Sequence, residues 1–175
     1  MPNYRRSFIA GGCFFFTVTL RDRRSTLLTD HIELLRRCVR TVRRAHPFAI
    51  DAWVVLPDHM HCIWTLPNGA IDYPTRWRLI KLLFSRDLPN ISERSSCQVA
   101  RREKGIWQRR YWEHTIRNEL DFNHHVDYVH VNPVKHGFVT RVSDWPYSTF
   151  HRFVKAGILS SDWGSDISDL KTAQE

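Results

Sequence analysis

The chain has 175 residues, 42% of them hydrophobic and 13% aromatic, and carries a formal net charge of +8. That size suits a single domain over residues 1–175, with a core from about residue 8 to 150 and a tail from about 151 to 175. The basic balance favours a polyanionic partner over a merely solvated surface, and the longest apolar run, Cys13 to Leu20, is far too short to span a membrane.

In chain order, the first predicted strand is Phe14 to Leu20, with Phe14, Phe16 and Val18 on one face and Phe15, Thr17 and Thr19 on the other. Asp30 and Glu33 read as a capping box for a helix that runs to Ala45 and is closed by Pro47. Ile32, Leu35, Val39 and Val42 form its apolar stripe, while Arg36, Arg40, Arg43 and Arg44 line another side. Ile50 to Leu56 is a second strand, with Ile50, Ala52, Val54 and Leu56 on one face, and Pro57-Asp58 links it to the next strand as in a hairpin. After a turn at Asn68-Gly69, a helix from about Thr75 to Asp87 turns Trp77, Ile80 and Phe84 inward. Pro89 to Gly105 is polar and reads as a mobile loop, and Ile106 to Ile116 as the fourth strand. A helix from Asn118 to Asn132 follows, capped by Asn118 and stopped by Pro133. The order β-α-β-β-α-β is the ferredoxin-like pattern, an α+β antiparallel sheet with helices packed on it.

Two segments carry chemistry. In Pro57 to Leu66, Met60, Cys62, Trp64 and Leu66 alternate with His59, His61, Ile63 and Thr65, so one face is apolar and the other presents two imidazoles side by side. That spacing suits two ligands of one metal ion, although an HxH alone is equally consistent with two unrelated half-buried histidines. Cys62 adjoins His61 but projects to the opposite, core face, and so is discounted as a ligand. In the last helix, Phe122, Val126 and Val129 make a buried stripe, whereas Asp121, His125, Tyr128 and Asn132 share a polar one. A lone helical tyrosine is ordinarily a packing residue. Only its pairing with the histidine strand would make a site.

These segments, taken with others, resemble a known family. Tyr4-Arg5-Arg6, Phe14 to Val18, Trp53 to His61, Ile106-Trp107-Gln108, Trp112-Glu113-His114, Tyr128 to Gly137 and Asp144 to Ser148 match, in order and spacing, the REP-associated tyrosine transposases. These are single-tyrosine HUH transposases, H standing for histidine and U for a hydrophobic residue. The likeness runs from about residue 3 to about residue 165 and is weakest over 89–104 and the last ten residues. It implies that Tyr128 is the nucleophile and that His59, His61 and Asn132 hold Mg²⁺ or Mn²⁺. The implied activity is a metal-dependent single-stranded DNA endonuclease and strand transferase. Its substrate would be a palindromic REP-type DNA hairpin with an unpaired 5′ tag.

The residue types suit that chemistry. Breaking a phosphodiester without ATP needs a nucleophile that keeps the bond energy in a covalent link, and a phenolate leaves more readily in the reverse step than a serine alkoxide. A free tyrosine ionises near pH 10, roughly 4 kcal/mol from full ionisation at neutrality, so a cation that polarises the phosphate is a natural partner. Ligand type alone leaves zinc, manganese and magnesium open. Arg5, Arg6, Arg78, Lys81, Arg109, Arg110 and Lys135 are candidate phosphate contacts, each of which could equally be a solvated charge. Trp77, Trp107 and Trp112 could stack on unpaired bases or pack in the core. His124, His125 and His130 crowd the tyrosine, and His114 is a candidate for supporting the site. Two other readings stay open: a hairpin-binding protein of the same fold that does not cut, and an unrelated HxH zinc hydrolase, which would need further ligands. The four cysteines lack CxxC or framework spacing and read as free thiols. With no signal peptide apparent, the expectation is a monomer in the bacterial cytoplasm, associated with the nucleoid.

Overall fold

The computed structural model describes residues 8–88 and 104–165. Along the chain run β1 (Cys13–Thr19), α1 (Leu27–Asp30), α2 (Ile32–Ala45), β2 (Ala49–Val55), β3 (His59–Thr65), α3 (Tyr73–Asp87), β4 (Trp112–Thr115), α4 (Glu119–Lys135) and α5 (Phe150–Lys155). The strands form one antiparallel sheet in the order β2-β3-β1-β4, as the β-α-β-β-α-β pattern requires. Among the described residues, no helix is long and apolar enough to cross a membrane.

Period-two alternation sorts the side chains into two cores. Phe14, Phe16 and Val18 of β1 and Met60, Cys62 and Trp64 of β3 face α2 and α3, where Leu35, Cys38, Val39, Val42, Trp77, Ile80 and Phe84 are buried. Trp64 stacks on Trp77 with ring centroids 4.1 Å apart, in the middle of this layer. On the other face, Phe15, Ala52, Val54 and Ile63 meet Val126 and Val129 of α4. The sheet therefore separates the tyrosine helix from the other two long helices.

Several boundaries differ from the sequence reading for identifiable reasons. No capping box forms at Asp30: its carboxylate accepts from Thr26 Oγ1 at 2.6 Å within the short α1, and Glu33 pairs instead with Arg36. A register shift between Ile50 and Ala52 inserts one extra residue into β2, so Ile50 packs with the α2–α3 core while Ala52, Val54 and Leu56 face α4. Helix α3 begins at Tyr73, with Pro74 in its first turn, where the missing N–H costs nothing. The fourth strand is shorter than expected. Trp107 makes a single bridge to Leu20, the chain leaves the ladder through the exposed Arg109-Arg110 pair, and pairing resumes at Trp112. The loop assigned to Pro89–Gly105 lies almost wholly outside the described residues.

The most consequential difference is at Pro133. Helix α4 continues through it to Lys135 and ends at Gly137, whose φ of +73° permits a left-handed cap. Gly137 N–H donates to the Val134 carbonyl and Phe138 N–H to the Pro133 carbonyl, satisfying the last turn. Pro133 forgoes one intrahelical bond but is itself buried, and that burial and the closed C-terminus offset the loss.

Candidate active site

Alternation along β3 sends His59 and His61 toward α4, and each is only 4% exposed. Neighbouring residues fix both rings. Thr17 lies opposite His61 on β1, and its hydroxyl is 2.8 Å from His61 Nδ1. His59 Nδ1 lies 2.7 Å from Asp58 Oδ1, and the other Asp58 oxygen pairs with Arg23 Nε at 2.7 Å. A carboxylate can only accept, so His59 donates from Nδ1 to Asp58. The Thr17 hydroxyl, which can donate or accept, holds His61 by Nδ1, and His61 Nε2 is buried without a partner. The rings stand 5.0 Å apart and nearly perpendicular. Burial, then the neighbouring His59, pushes the His61 pKa well below the ordinary imidazole value, which leaves this ring neutral. A neutral imidazole is the form that ligates a cation.

Helix α4 supplies the rest. Asn118 accepts the Asp121 N–H at 2.9 Å and caps it, and Val126 and Val129 anchor it on the sheet. Tyr128 then meets His61 with ring centroids 5.1 Å apart and Phe15 at 5.8 Å, while Lys135 Nζ lies 5.0 Å from the centre of its ring. Two turns beyond Tyr128, His136 meets His59 at 5.0 Å. These two contacts bracket Asn132, which is fully buried with neither amide atom hydrogen-bonded. A buried amide without partners costs about 1–3 kcal/mol. An unpartnered amide, an unpartnered His61 Nε2 and the neighbouring His59 ring fit a divalent cation with positions left open for phosphate and water. Among the described residues, no group of three His, Cys, Asp or Glu side chains gathers around His59 and His61.

Comparison with known proteins gives the family. No protein-family model matches the chain. A REP-associated tyrosine transposase of Escherichia coli strain K12 is 52% identical over 174 residues, 99% of this chain and 98% of its own. The chain belongs to the REP-associated tyrosine transposases. A Haemophilus influenzae protein is 46% identical over 172 residues, 98% of this chain and 97% of its own. A solved structure of a REP-associated tyrosine transposase bound to a REP hairpin superposes with a TM-score of 0.82 at 51% identity, covering 100% of this chain and 98% of that one.

The other residues singled out in this transposase divide by location. Arg5 and Arg6 lie outside the described residues. Arg78, Lys81 and Arg109 line a groove of about 730 Å³ with Trp107 on the α3 side of the sheet, away from Tyr128. There Lys81 donates to the Gln108 carbonyl at 2.7 Å and sits 5.6 Å from the Trp107 ring. Arg110 is exposed on the loop before β4. Of the cationic candidates in the described residues, Lys135 is the one beside the tyrosine. Trp77 is a core residue, Trp107 is half-buried, and Trp112 is 51% exposed. His124 is exposed, whereas His130 is buried with Nε2 3.1 Å from Thr149 Oγ1 and acts as packing. His114 and His125 meet at Asp121 rather than at His59. The Asp144–Ser148 motif is structural: Trp145 Nε1 donates to the Val55 carbonyl, and Val55 N–H donates to the Tyr147 carbonyl, lacing this segment to β2.

Sequence reasoning missed Thr17, Asp58 and His136. Asp58 was signalled by its adjacency to His59. Thr17 emerges only once the β1–β3 register is known, and His136 was hidden by the expectation that Pro133 ends the helix.

Proposed function

We propose that this transposase is a metal-dependent single-stranded DNA endonuclease and strand transferase that recognises a REP-type hairpin with an unpaired 5′ tag. The carrying observation is Tyr128 set 5.1 Å from His61, next to a buried Nε2 and a buried amide that both lack partners. The hairpin-bound relative supports the substrate.

The Tyr128 phenolic oxygen attacks the scissile phosphorus as the bond from phosphorus to the 3′ oxygen breaks. The phenol gives up its proton and the released 3′ oxygen takes one up, leaving a 5′-phosphotyrosine and a 3′ hydroxyl. The same 3′ hydroxyl, or that of another strand, reverses the step, because the tyrosyl ester has stored the bond. His59, His61 and Asn132 would hold Mg²⁺ or Mn²⁺, an ion that would polarise the scissile phosphate and stabilise charge on the departing oxygen. Thr17 and Asp58 orient the two imidazoles, and Lys135 sets a positive charge beside the phosphate joined to Tyr128.

Incubation with a labelled hairpin oligonucleotide and Mn²⁺, followed by a denaturing gel, tests this reading. The expected result is a protein–DNA adduct mapped to Tyr128 by peptide mass spectrometry. Tight hairpin binding without any adduct would instead assign the chain to the class that binds and does not cut.

A further inference from the structure

Near the start of the tyrosine helix, three side chains converge that the cleavage chemistry does not use. His114 comes from β4, and Asp121 and His125 from the first turns of α4. His114 Nε2 lies 3.1 and 2.9 Å from the two Asp121 carboxylate oxygens, and His125 Nδ1 lies 3.1 Å from Asp121 Oδ1. One donor atom from each residue falls within 4.8 Å of the other two. The imidazole rings stack with centroids 4.7 Å apart, Trp112 covers His114, and Phe15 covers His125.

The geometry points to a second metal site, in which His114 Nε2, His125 Nδ1 and one Asp121 oxygen hold a borderline transition ion such as Zn²⁺, with water completing the shell. Nitrogen and oxygen donors bound tetrahedrally at about 2.0–2.1 Å sit about 3.3 Å from one another. Measured to the single oxygen Oδ1, His114 Nε2 and His125 Nδ1 each lie 3.1 Å away and reach that arrangement by moving a few tenths of an ångström apart. Two imidazoles with a carboxylate favour zinc and its neighbours over Mg²⁺ or Ca²⁺, which take oxygen shells, so this site and the one at His59 would select different ions.

Asp121 is already oriented for the task. Its Oδ2 accepts the Arg117 N–H at 2.9 Å, and its own N–H donates to Asn118. Its charge also offsets the positive end of the helix, which would otherwise repel a cation. The competing arrangement is a plain hydrogen-bonded cluster, in which imidazole N–H groups donate to Asp121. His125 Nδ1 also lies 2.8 Å from the Asp121 carbonyl, a bond that metal binding would displace. The three side chains are 27%, 20% and 20% exposed, so an ion enters from solvent without unfolding. Bound there, it would tie β4 to α4 one turn from Tyr128. Phe15 forms the partition between the sites, touching His125 at 4.7 Å on one side and His61 at 5.7 Å on the other.

The test uses the full chain with His59→Ala and His61→Ala, so that only the proposed site can load, and reads binding rather than cleavage. Chelator-stripped protein is titrated with Zn²⁺ by calorimetry and with Co²⁺ by visible absorption. The expected result is one equivalent bound at micromolar Kd or tighter, a Co²⁺ ligand-field band, and a melting temperature raised by several degrees. Adding Asp121→Asn, and separately His114→Ala on the edge strand, should each weaken binding at least ten-fold with the far-ultraviolet circular dichroism unchanged. No saturable Zn²⁺ binding by the His59/His61 double variant would overturn the proposal. So would undiminished binding after either added substitution.

Discussion

Thr17 and His61 face each other across β1 and β3, and the Thr17 hydroxyl lies 2.8 Å from His61 Nδ1. One strand thus fixes the rotation of an imidazole on the next, and the register of the sheet becomes a determinant of how that ring is aimed.

Replacing Thr17 with Val keeps the shape and removes the hydrogen-bonding oxygen. Metal affinity, read from the Mn²⁺ dependence of cleavage, should fall about 10–100-fold, while Thr17→Ser should stay near the parent. The melting temperature should change little, because the hydroxyl's main partner is the imidazole. An unchanged Mn²⁺ dependence would mean that packing alone orients His61.

Tyr128→Phe removes only the nucleophilic oxygen. Adduct formation should disappear, and hairpin affinity measured by fluorescence anisotropy should stay within a few-fold. Normal adduct yield from this variant would move the nucleophile elsewhere.

His59→Ala and His61→Ala should each abolish cleavage, and a chelator should do so reversibly. Asn132→Leu separates ligation from stability. The amide is wholly buried and unpartnered, so an isosteric apolar side chain should stabilise chelator-treated protein by about 1–3 kcal/mol while weakening metal binding. Thermal melts with and without Mn²⁺ check both halves. A lower melting temperature in chelator would show that the amide is satisfied in the fold.

Hairpin binding should weaken steeply with salt, and a fully paired duplex of the same sequence should bind poorly and resist cutting. Lys135→Ala should reduce the salt slope by about one phosphate contact, as should each of Arg5→Ala and Arg6→Ala. Titrations at several salt concentrations give the slopes directly. Equal affinity for duplex and hairpin at one fixed salt concentration would reduce the protein to a general nucleic-acid binder.

Much of this was legible in the residues because it rests on short-range periodicity. The alternation through Met60, Cys62 and Trp64 placed the histidines on the opposite face, and the spacing of Val126 and Val129 turned Tyr128 toward them. What stayed hidden depends on tertiary context. Ile50 changes face because of an inserted residue that no pattern in β2 marks. Pro133 is carried inside α4 because Gly137 closes the helix one turn later, and only then does His136 reach His59. Charge was the least informative signal: Lys81 and Lys135 are the same residue type, yet one lies in the groove beside α3 and the other beside Tyr128.

The sheet also acts as a divider between two places where a polyanion could rest. The groove of Lys81 and Trp107 opens on one side and Tyr128 stands on the other, with β4 as the nearest rim. Duplex DNA stays stiff over about 150 base pairs and would lie along one side at a time. A flexible strand can fold over the rim. A nucleic acid occupying both places at once would therefore be selected by bending stiffness, before any base is read.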